Sequence, residues 1–378
     1  MSCIILHFDI NETILLADPA GGDQPEECYN KVIAKSASVQ NSEGRPVFWH
    51  DGSRIGGGGG EPPLYTDWKL MPGCTPYYKS FEGSKSESKN FTEGDGSIYR
   101  PLYDRVASSV SLPPGTEVDS RLLLDSSRYL LLPAFYETII FLDRCNENYK
   151  IVLRTFGLDL EKVLAAISAF AEGKHPDYPD FVNADLTVAP GNNGWDETKV
   201  KLYRGRYFAD SHETSYRLLS WTEGSFDHNK SAIDLNCNVA AQGDDEVLSI
   251  IQNSDTKIIG IQDDYQHWAN SGYNPSAGKP LWVVEDEGSH HIFFDDNIHN
   301  DPEDSIVAVR YRGTKLLPKN ADGENLINSS KTSFRALSGK EILQMQDKYI
   351  VRVPTIKPIF DRRWFIDQIE VCRKSIKE

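Results

Sequence analysis

The sequence predicts an α/β fold in which helices cover both faces of a parallel sheet. Short apolar runs, typical of buried strands, alternate along the chain with longer stretches whose apolar residues recur at helical spacing. The chain has 378 residues, which is more than one compact core usually holds, so we expect two domains or one domain with a large insertion. Hydrophobic residues make up 39% of the sequence, enough to fill such a core.

The apolar runs predict where the strands lie. Four runs predict buried parallel strands at residues 3–8, 150–153, 257–261 and 291–294, and residues 305–310 are a fifth candidate. Helical spacing predicts helices at residues 132–146, 158–172 and 244–253, and a packed terminal helix at residues 362–377. The carboxyl ends of parallel strands lie at one edge of a sheet, and in such folds function collects there.

Two stretches interrupt the alternation. Residues 39–125 are rich in Gly, Ser, Pro and aromatic residues, and they separate the first two strands more widely than a crossover requires. Residues 175–243 form a second, smaller irregular stretch. We therefore predict a core made of residues 1–38, 126–174 and 244–378, with two insertions that cover the strand ends.

Charge and cysteine content indicate the environment of the protein. The 56 acidic residues outnumber the 40 basic ones, and the net charge of −16 repels phosphate polymers and anionic lipid, so we expect neither nucleic acid nor a membrane as partner. The six cysteines are scattered without a CxxC pair, as in reduced intracellular proteins. The N-terminus lacks the pattern of a signal peptide, so we expect a cytoplasmic location.

Acidic side chains follow the first and the fourth predicted strands. Asp9 ends the first apolar run and Thr13 follows it, while Asp295, Asp296 and Asp301 follow the fourth run. Carboxylates from adjacent strand ends cannot all stay ionised without a cation, because like charges at close range raise one another's pKa. Oxygen ligands without a His or Cys cluster favour Mg²⁺ over zinc.

Two further candidates complete a set of groups for phosphoryl transfer. The second strand ends in Thr155, followed by the flexible Gly157, and Lys279 precedes the fourth strand. An anionic nucleophile, a metal ion, a hydroxyl group and a lysine are what transfer of a phosphoryl group requires. Lys257 is a poorer alternative to Lys279. Arg154 lies beside Thr155 as a candidate for binding a substrate anion, although strand alternation can equally turn it to the opposite face.

These motifs, in this order along the chain, resemble those of the haloacid dehalogenase (HAD) superfamily. FDINETI resembles the DxDx[TV] element, IVLRT resembles the strand ending in Thr or Ser, the region of Lys279 resembles the third element, and FFDDNIHND resembles the acidic fourth element. Its FFDD form is most similar to that of small magnesium-dependent phosphatases. The resemblance implies a Rossmann-like core in which residues 39–125 are a cap inserted after the first strand. It also implies phosphatase activity on a phosphorylated small molecule or phosphoprotein.

The resemblance further implies a role for each site residue. Asp9 would be the nucleophile that forms an aspartyl-phosphate, and Thr155 and Lys279 would hold the phosphoryl group. The implied Mg²⁺ ligands are Asp9, the backbone carbonyl of Asn11, Asp295 and Asp296, with Asp301 orienting them.

One position departs from the family pattern. Phosphatases of the family normally have Asp two residues after the nucleophile, where it protonates the leaving group, whereas this chain has Asn11. An amide has no proton that titrates near neutral pH. Asn11 therefore predicts slow turnover, a leaving group that needs no proton, or a catalytically silent protein that binds a phosphorylated ligand or a protein partner. A dehalogenase is disfavoured, since such enzymes need no metal and no paired acids.

Two other motifs have structural interpretations. His290, His291 and His299 flank the acidic motif but lack the spacing of a zinc site, so we expect core or surface histidines. The QDDYQHW segment, residues 262–268, follows the third strand. We favour an acidic first turn of a helix there over a substrate contact.

Overall fold

The structure is a computed structural model that describes residues 3–19, 21–67, 71–188, 195–209, 214–221, 238–285, 288–298, 305–313 and 333–376. The strands are β1 Cys3–Asp9, β2 Ser38–Gln40, β3 Cys74–Pro76, β4 Leu123–Asp125, β5 Arg128–Tyr129, β6 Tyr149–Thr155, β7 Val200–Ala209, β8 Thr214–Ser220, β9 Val239–Gln242, β10 Ile258–Gln262, β11 Lys279–Val284, β12 Ser289–Asp295, β13 Val307–Arg312, β14 Arg335–Ala336 and β15 Ile350–Arg352. The helices are α1 Pro25–Ser36, α2 Ser84–Glu87, α3 Arg100–Val110, α4 Pro133–Arg144, α5 Leu160–Ala171, α6 Gly243–Asn253, α7 Tyr265–Asn270, α8 Gly339–Ile342, α9 Ile356–Phe360 and α10 Trp364–Ser375.

A mostly parallel sheet forms the centre of this mixed α/β protein. Its eight strands follow the order β15, β12, β1, β6, β10, β7, β8 and β9. The pairings from β15 through to β7 are parallel, and β8 and β9 add an antiparallel edge. The four strands predicted at residues 3–8, 150–153, 257–261 and 291–294 are confirmed as β1, β6, β10 and β12.

Alternation along the strands sends apolar side chains to both faces of the sheet. On β1, Ile4, Leu6 and Phe8 pack with α4, α5 and α10 in the largest core cluster, whereas Ile5 points to the other face, where α6 packs. The helices predicted at 132–146, 158–172, 244–253 and 362–377 are confirmed as α4, α5, α6 and α10. Helices therefore lie on both faces of the sheet, as expected.

Two regions differ from the sequence prediction. The fifth strand candidate, residues 305–310, forms β13, but β13 pairs with β11 and β14 in a separate sheet instead of joining the central one. The stretch 175–243, which seemed irregular, supplies β7, β8 and β9 to the central sheet. The long β7 shows no period-2 burial, since a run of half-buried residues separates its buried ones, and this explains why the pattern did not indicate a strand.

Residues 39–125 pack mainly against α1. A separate core cluster joins α1 and α3 with aromatic residues of this stretch, notably Trp49, Tyr77 and Phe91. None of the helices in the described part of the chain combines the length and the apolar character that crossing a bilayer requires.

Candidate active site

The topology of the sheet creates a crevice between β1 and β12. From β1 the chain proceeds to β6 and then β10 on one side, whereas β12 and β15 lie on the other side of β1. The strand order therefore reverses at the boundary between β1 and β12, and ligands of open α/β sheets bind at the carboxyl ends of strands at such a point. Phe8 pairs with Phe294 in register, so the next residues, Asp9 and Asp295, lie side by side at this edge.

Three buried carboxylates meet at this point. Oxygens of Asp9, Asp295 and Asp296 all lie within 4.8 Å of one another. The Lys279 ammonium bridges two of them, with Nζ 2.5 Å from Oδ1 of Asp9 and 2.8 Å from Oδ2 of Asp295. The convergence of Asp9 with Asp295 and Asp296, predicted from residues nearly three hundred positions apart, is present in the fold.

Burial and mutual repulsion set the charge state of the cluster. Burial raises the pKa of Asp9 well above its usual range, and the neighbouring charge of Asp295 adds to this effect. Burial also raises the pKa of Asp296 to about 6, against the opposing attraction of Lys35. Burial alone would lower the pKa of Lys279, but the attraction of Asp295 and Asp9 outweighs it and raises that pKa. The cluster thus favours a positive charge among its oxygens.

A second group of charges supports the cluster from α1, and the sequence analysis missed it. Lys35 Nζ lies 2.6 Å from Oδ2 of Asp296 and also contacts Glu12. Lys31, one helical turn earlier, lies 2.5 Å from Oε1 of Glu12 and 2.6 Å from Oδ2 of Asp23. Burial would raise the pKa of Glu12, but Lys35 and Lys31 outweigh it and hold the pKa at about 2. The sequence feature that could have indicated this group is the spacing of the two lysines, which are four residues apart and therefore lie on one face of α1.

Backbone and hydroxyl donors hold the carboxylates in place. Thr13 Oγ1 donates to Oδ2 of Asp9 at 3.2 Å and accepts from the backbone N–H of Asp296 at 3.2 Å. The backbone N–H of Asn297 donates to Oδ1 of Asp295 at 2.8 Å. Thr13 therefore links the ends of β1 and β12.

The Asn11 side chain connects the first motif to the end of β6. Its Oδ1 accepts from Thr155 Oγ1 at 3.3 Å, and its Nδ2 donates to Oδ2 of Asp159 at 3.1 Å and to the carbonyl of Ala17 at 3.1 Å. The Thr155 hydroxyl is buried and also accepts from the Gly157 N–H at 2.7 Å. Asn11 and Thr155 thus lie together beside the cluster, as predicted. Asp159 was not anticipated, and burial raises its pKa.

Arg154 does not line the cavity. Its side chain is 0% exposed, and its Nε and Nη2 donate to Oδ2 and Oδ1 of Asp263 at 2.8 and 2.6 Å. Its Nη1 donates to the carbonyl of Pro280 at 2.9 Å. Strand alternation has turned Arg154 to the face opposite to that of Thr155, so its contacts do not support the interpretation as a substrate ligand.

Other candidates from the sequence are placed as follows. Lys257 precedes β10 and lies 3.5 Å from Asp143, at the opposite edge of the sheet from the acid cluster, so the position of Lys279 favours it over Lys257. His291 is buried with its Nδ1 3.1 Å from Nε2 of His7, and His290 bonds to a backbone carbonyl, so both are core histidines. Asp301 and His299 lie outside the described residues.

We expect Arg154→Met to lower the free energy of unfolding by about 3–5 kcal/mol, because it leaves the buried Asp263 carboxylate without its cation. Urea denaturation measures the loss. The double variant Arg154→Met with Asp263→Asn is the control, and it should lose much less than the sum of the two single variants. A loss below about 1 kcal/mol in the single variant would contradict a buried ion pair.

A large cavity opens above the acid cluster. Its volume is about 1250 Å³, and Asp9, Asn11, Asp296 and Lys279 lie on its floor. Residues 39–125 contribute Tyr78, Lys79 and Lys85 to the wall, and the QDDYQHW segment contributes a second side. Asp264 in that segment is the N-cap of α7, where it accepts from the backbone N–H of His267 at 3.1 Å, so a helix does begin here. The first turn itself contains no acidic residue, because Asp264 precedes it and Asp263 pairs with Arg154. The same segment nevertheless faces the cavity.

The chemistry of the site suits a hard divalent cation. The groups that converge there are carboxylate oxygens, which Mg²⁺ prefers. Each carboxylate has about four lone-pair positions, so the hydrogen bonds from Lys279 and Thr13 leave further acceptor capacity on Asp9. A bound dication would also oppose the burial and the repulsion from Asp295 that together raise the pKa of Asp9.

A comparison of the chain with protein-family models, with curated proteins and with solved structures finds no match in any of the three. The fold, the acid cluster and the cavity are therefore the observations on which a function can be inferred.

Proposed function

We propose that the protein is a magnesium-dependent phosphohydrolase of the HAD type that acts on a phosphomonoester. The observation that carries the proposal is the convergence of Asp9, Asp295 and Asp296 with Lys279 at the reversal of strand order. Asp9, Asp296 and Lys279 lie on the floor of the cavity, and the buried Asp295 lies behind them. Three of the four motifs that resemble the superfamily supply these residues. In this proposal residues 39–125 act as the cap, since they contribute part of the cavity wall.

Each residue has a role that its contacts support. Asp9 attacks phosphorus, and Thr13 orients its carboxylate through the hydrogen bond at Oδ2. Lys279 offsets the charge that develops on the phosphoryl oxygens. The Thr155 hydroxyl donates to the side chain of Asn11 and so holds in place the residue two positions beyond the nucleophile. Mg²⁺ would be held by Asp9, Asp295, Asp296 and the Asn11 carbonyl, and when bound it neutralises negative charge on the phosphoryl group.

Asn11 supports an alternative function. A protein of the same fold without a general acid can bind a phosphorylated ligand and not turn it over. Thermal-shift measurements with inorganic phosphate and Mg²⁺, made beside the activity assay, separate the two: stabilisation by the ligand without turnover indicates the silent binding protein.

The proposal is tested by hydrolysis of 4-nitrophenyl phosphate as a function of Mg²⁺ concentration. We expect turnover that a chelator abolishes and Mg²⁺ restores. Asp295→Asn should reduce it by about 100-fold or more at a fixed Mg²⁺ concentration, because it removes a proposed ligand. Asp185→Asn, an exposed carboxylate near Lys257 at the far edge of the sheet, is the matched control and should keep full turnover. If neither the chelator nor the Asp295→Asn substitution lowers turnover, the metal-dependent mechanism is rejected.

A further inference from the structure

The cavity wall next to Lys279 is aromatic. The Phe156 ring, directly after β6, has its centroid 5.0 Å from the Lys279 Nζ. Trp268 stacks on Phe156 with 5.2 Å between centroids, and Tyr265 meets the same ring edge-on at 5.6 Å. Tyr273 continues the row, 4.9 Å from Trp268. All four rings line the cavity, and we call them the aromatic wall.

The aromatic wall offers ring surface to a ligand. Tyr265 is 50% exposed and Tyr273 is 51% exposed, although both are large apolar residues beside a polar site. The structure describes α7 throughout, and no residue of that helix is buried. A cavity of about 1250 Å³ leaves room for a group much larger than a phosphoryl group. A leaving group on a phosphoryl group held at Lys279 therefore has aromatic rings within reach.

An independent observation concerns the proton that a leaving group takes up. Asn11 occupies the position of the usual acid, and its amide hydrogen bonds go to Asp159 and Ala17. Without that acid the leaving group departs as an anion. A phenol has a pKa of about 10, as in tyrosine, whereas an alkoxide is about as basic as hydroxide, whose conjugate acid, water, has a pKa of about 15.7. A phenolate therefore leaves far more readily than an alkoxide.

Both observations point to the same ligand chemistry. Building on the function proposed above, we propose that the substrates are aryl phosphates, in which an aromatic ring is bonded directly to the ester oxygen. The ring packs on the aromatic wall while the phosphoryl group lies at Asp9 and Lys279. Aryl phosphates account for two features of the site at once. They account for the aromatic rings in the cavity wall, and they account for a site that has the nucleophile, the lysine and the paired acids but lacks the usual general acid.

The reaction balances without an enzymatic proton donor. An oxygen of Asp9 bonds to phosphorus, the bond between phosphorus and the aryl oxygen breaks, and the aryl oxide leaves with the electron pair and later takes a proton from solvent. Water then attacks phosphorus, the bond to Asp9 breaks, and the proton that water loses passes to solvent. The products are a phenol and inorganic phosphate.

Matched substrates separate ring recognition from leaving-group chemistry. Phenyl phosphate has the ring on the ester oxygen, benzyl phosphate has a ring on an alkyl ester, and cyclohexyl phosphate has neither feature. We expect kcat/KM for phenyl phosphate to exceed that for benzyl phosphate by about 10²-fold or more, the factor that a missing general acid costs. A ratio below about tenfold would show that another group supplies the proton, and it would overturn the inference.

A variant of the aromatic wall tests the ring contact. Tyr265→Leu should raise the KM for phenyl phosphate by about 5- to 10-fold, as expected for loss of an aromatic pair, and leave that for cyclohexyl phosphate nearly unchanged. Phe360→Leu is the matched control, because Phe360 is 47% exposed and does not line the cavity. Equal changes for both substrates in Tyr265→Leu would overturn the proposed contact.

Direct binding distinguishes failure of this inference from failure of the proposed function. If the protein hydrolyses none of the esters in Mg²⁺, the phosphohydrolase proposal fails. Titration calorimetry with phenyl and cyclohexyl phosphate then decides the ligand class. A preference of about fivefold for phenyl phosphate that Tyr265→Leu removes supports an aromatic ligand, and equal affinities overturn it.

Discussion

Asp9→Asn is expected to remove the magnesium-dependent hydrolysis of an aryl phosphate, a loss of at least about 10³-fold in kcat. The neutral amide cannot attack phosphorus, and it is a poorer metal ligand than a carboxylate. The variant should nevertheless fold, because burial and the charge of Asp295 already disfavour the ionised form of Asp9. Lys279 also keeps its 2.8 Å contact with Asp295. Steady-state kinetics with 4-nitrophenyl phosphate measures the loss.

The stability of Asp9→Asn separates a lost nucleophile from a lost fold. We expect its unfolding midpoint to equal or exceed that of the unmodified protein, since one of three mutually repelling carboxylates has become neutral. Asp185→Asn serves again as the control, with unchanged kcat. Full magnesium-dependent turnover by a folded Asp9→Asn protein would rule out the aspartyl-phosphate mechanism.

Asn11→Asp should increase the turnover of an alkyl ester such as benzyl phosphate by about 10²- to 10⁴-fold, the range that general acid and base catalysis contributes. The new carboxyl group would lie beside the Asp159 carboxylate, in place of an amide now 3.1 Å from it. Two neighbouring carboxyl groups share a proton, which raises one pKa and keeps a donor available near neutral pH. The measurement is kcat for benzyl and phenyl phosphate in parallel.

The gain from Asn11→Asp should depend on the leaving group. Phenyl phosphate should gain less in its first step than benzyl phosphate, because a phenolate needs little assistance. Asn11→Ala is the control: it removes the same hydrogen bonds without providing an acid, so it should give no increase. If Asn11→Asp gives no gain with either ester, the absence of a proton donor does not limit this site, and our explanation of Asn11 fails.

The sequence predicted the parts of the site that depend on local pattern. Apolar runs end at Asp9 and Asp295, and the rule that parallel strands end at one edge was sufficient to bring these residues together. Lys279 was assigned from its place in the order of motifs. The structure sets it at the start of β11, which lies in the second sheet, although Gly278 and Pro280 around it have the character of a turn.

Other parts depended on tertiary placement that no local pattern contains. Lys35 and Asp296 are separated by 261 positions in the sequence. They come into contact only because α1 packs beside the end of β12, and no local pattern indicates this packing. The orientation of Arg154 was undecided because a shift of one residue along a strand exchanges its two faces. The role of residues 39–125 as a cap and the roles of Thr155 and Lys279 in catalysis remain predictions.

The buried pair of Arg154 and Asp263 has an evolutionary consequence. Asp263 lies just before α7, and its ion pair with Arg154 fixes the chain at that point. Tyr216 also donates a hydrogen bond to Asp263 at 3.0 Å. The side chains that α7 presents to the cavity contribute little to this anchor, since none of them is buried. Substitutions at exposed positions of α7, such as Tyr265, can therefore accumulate and alter the surface that faces the cavity, while the anchoring ion pair preserves the backbone that displays them.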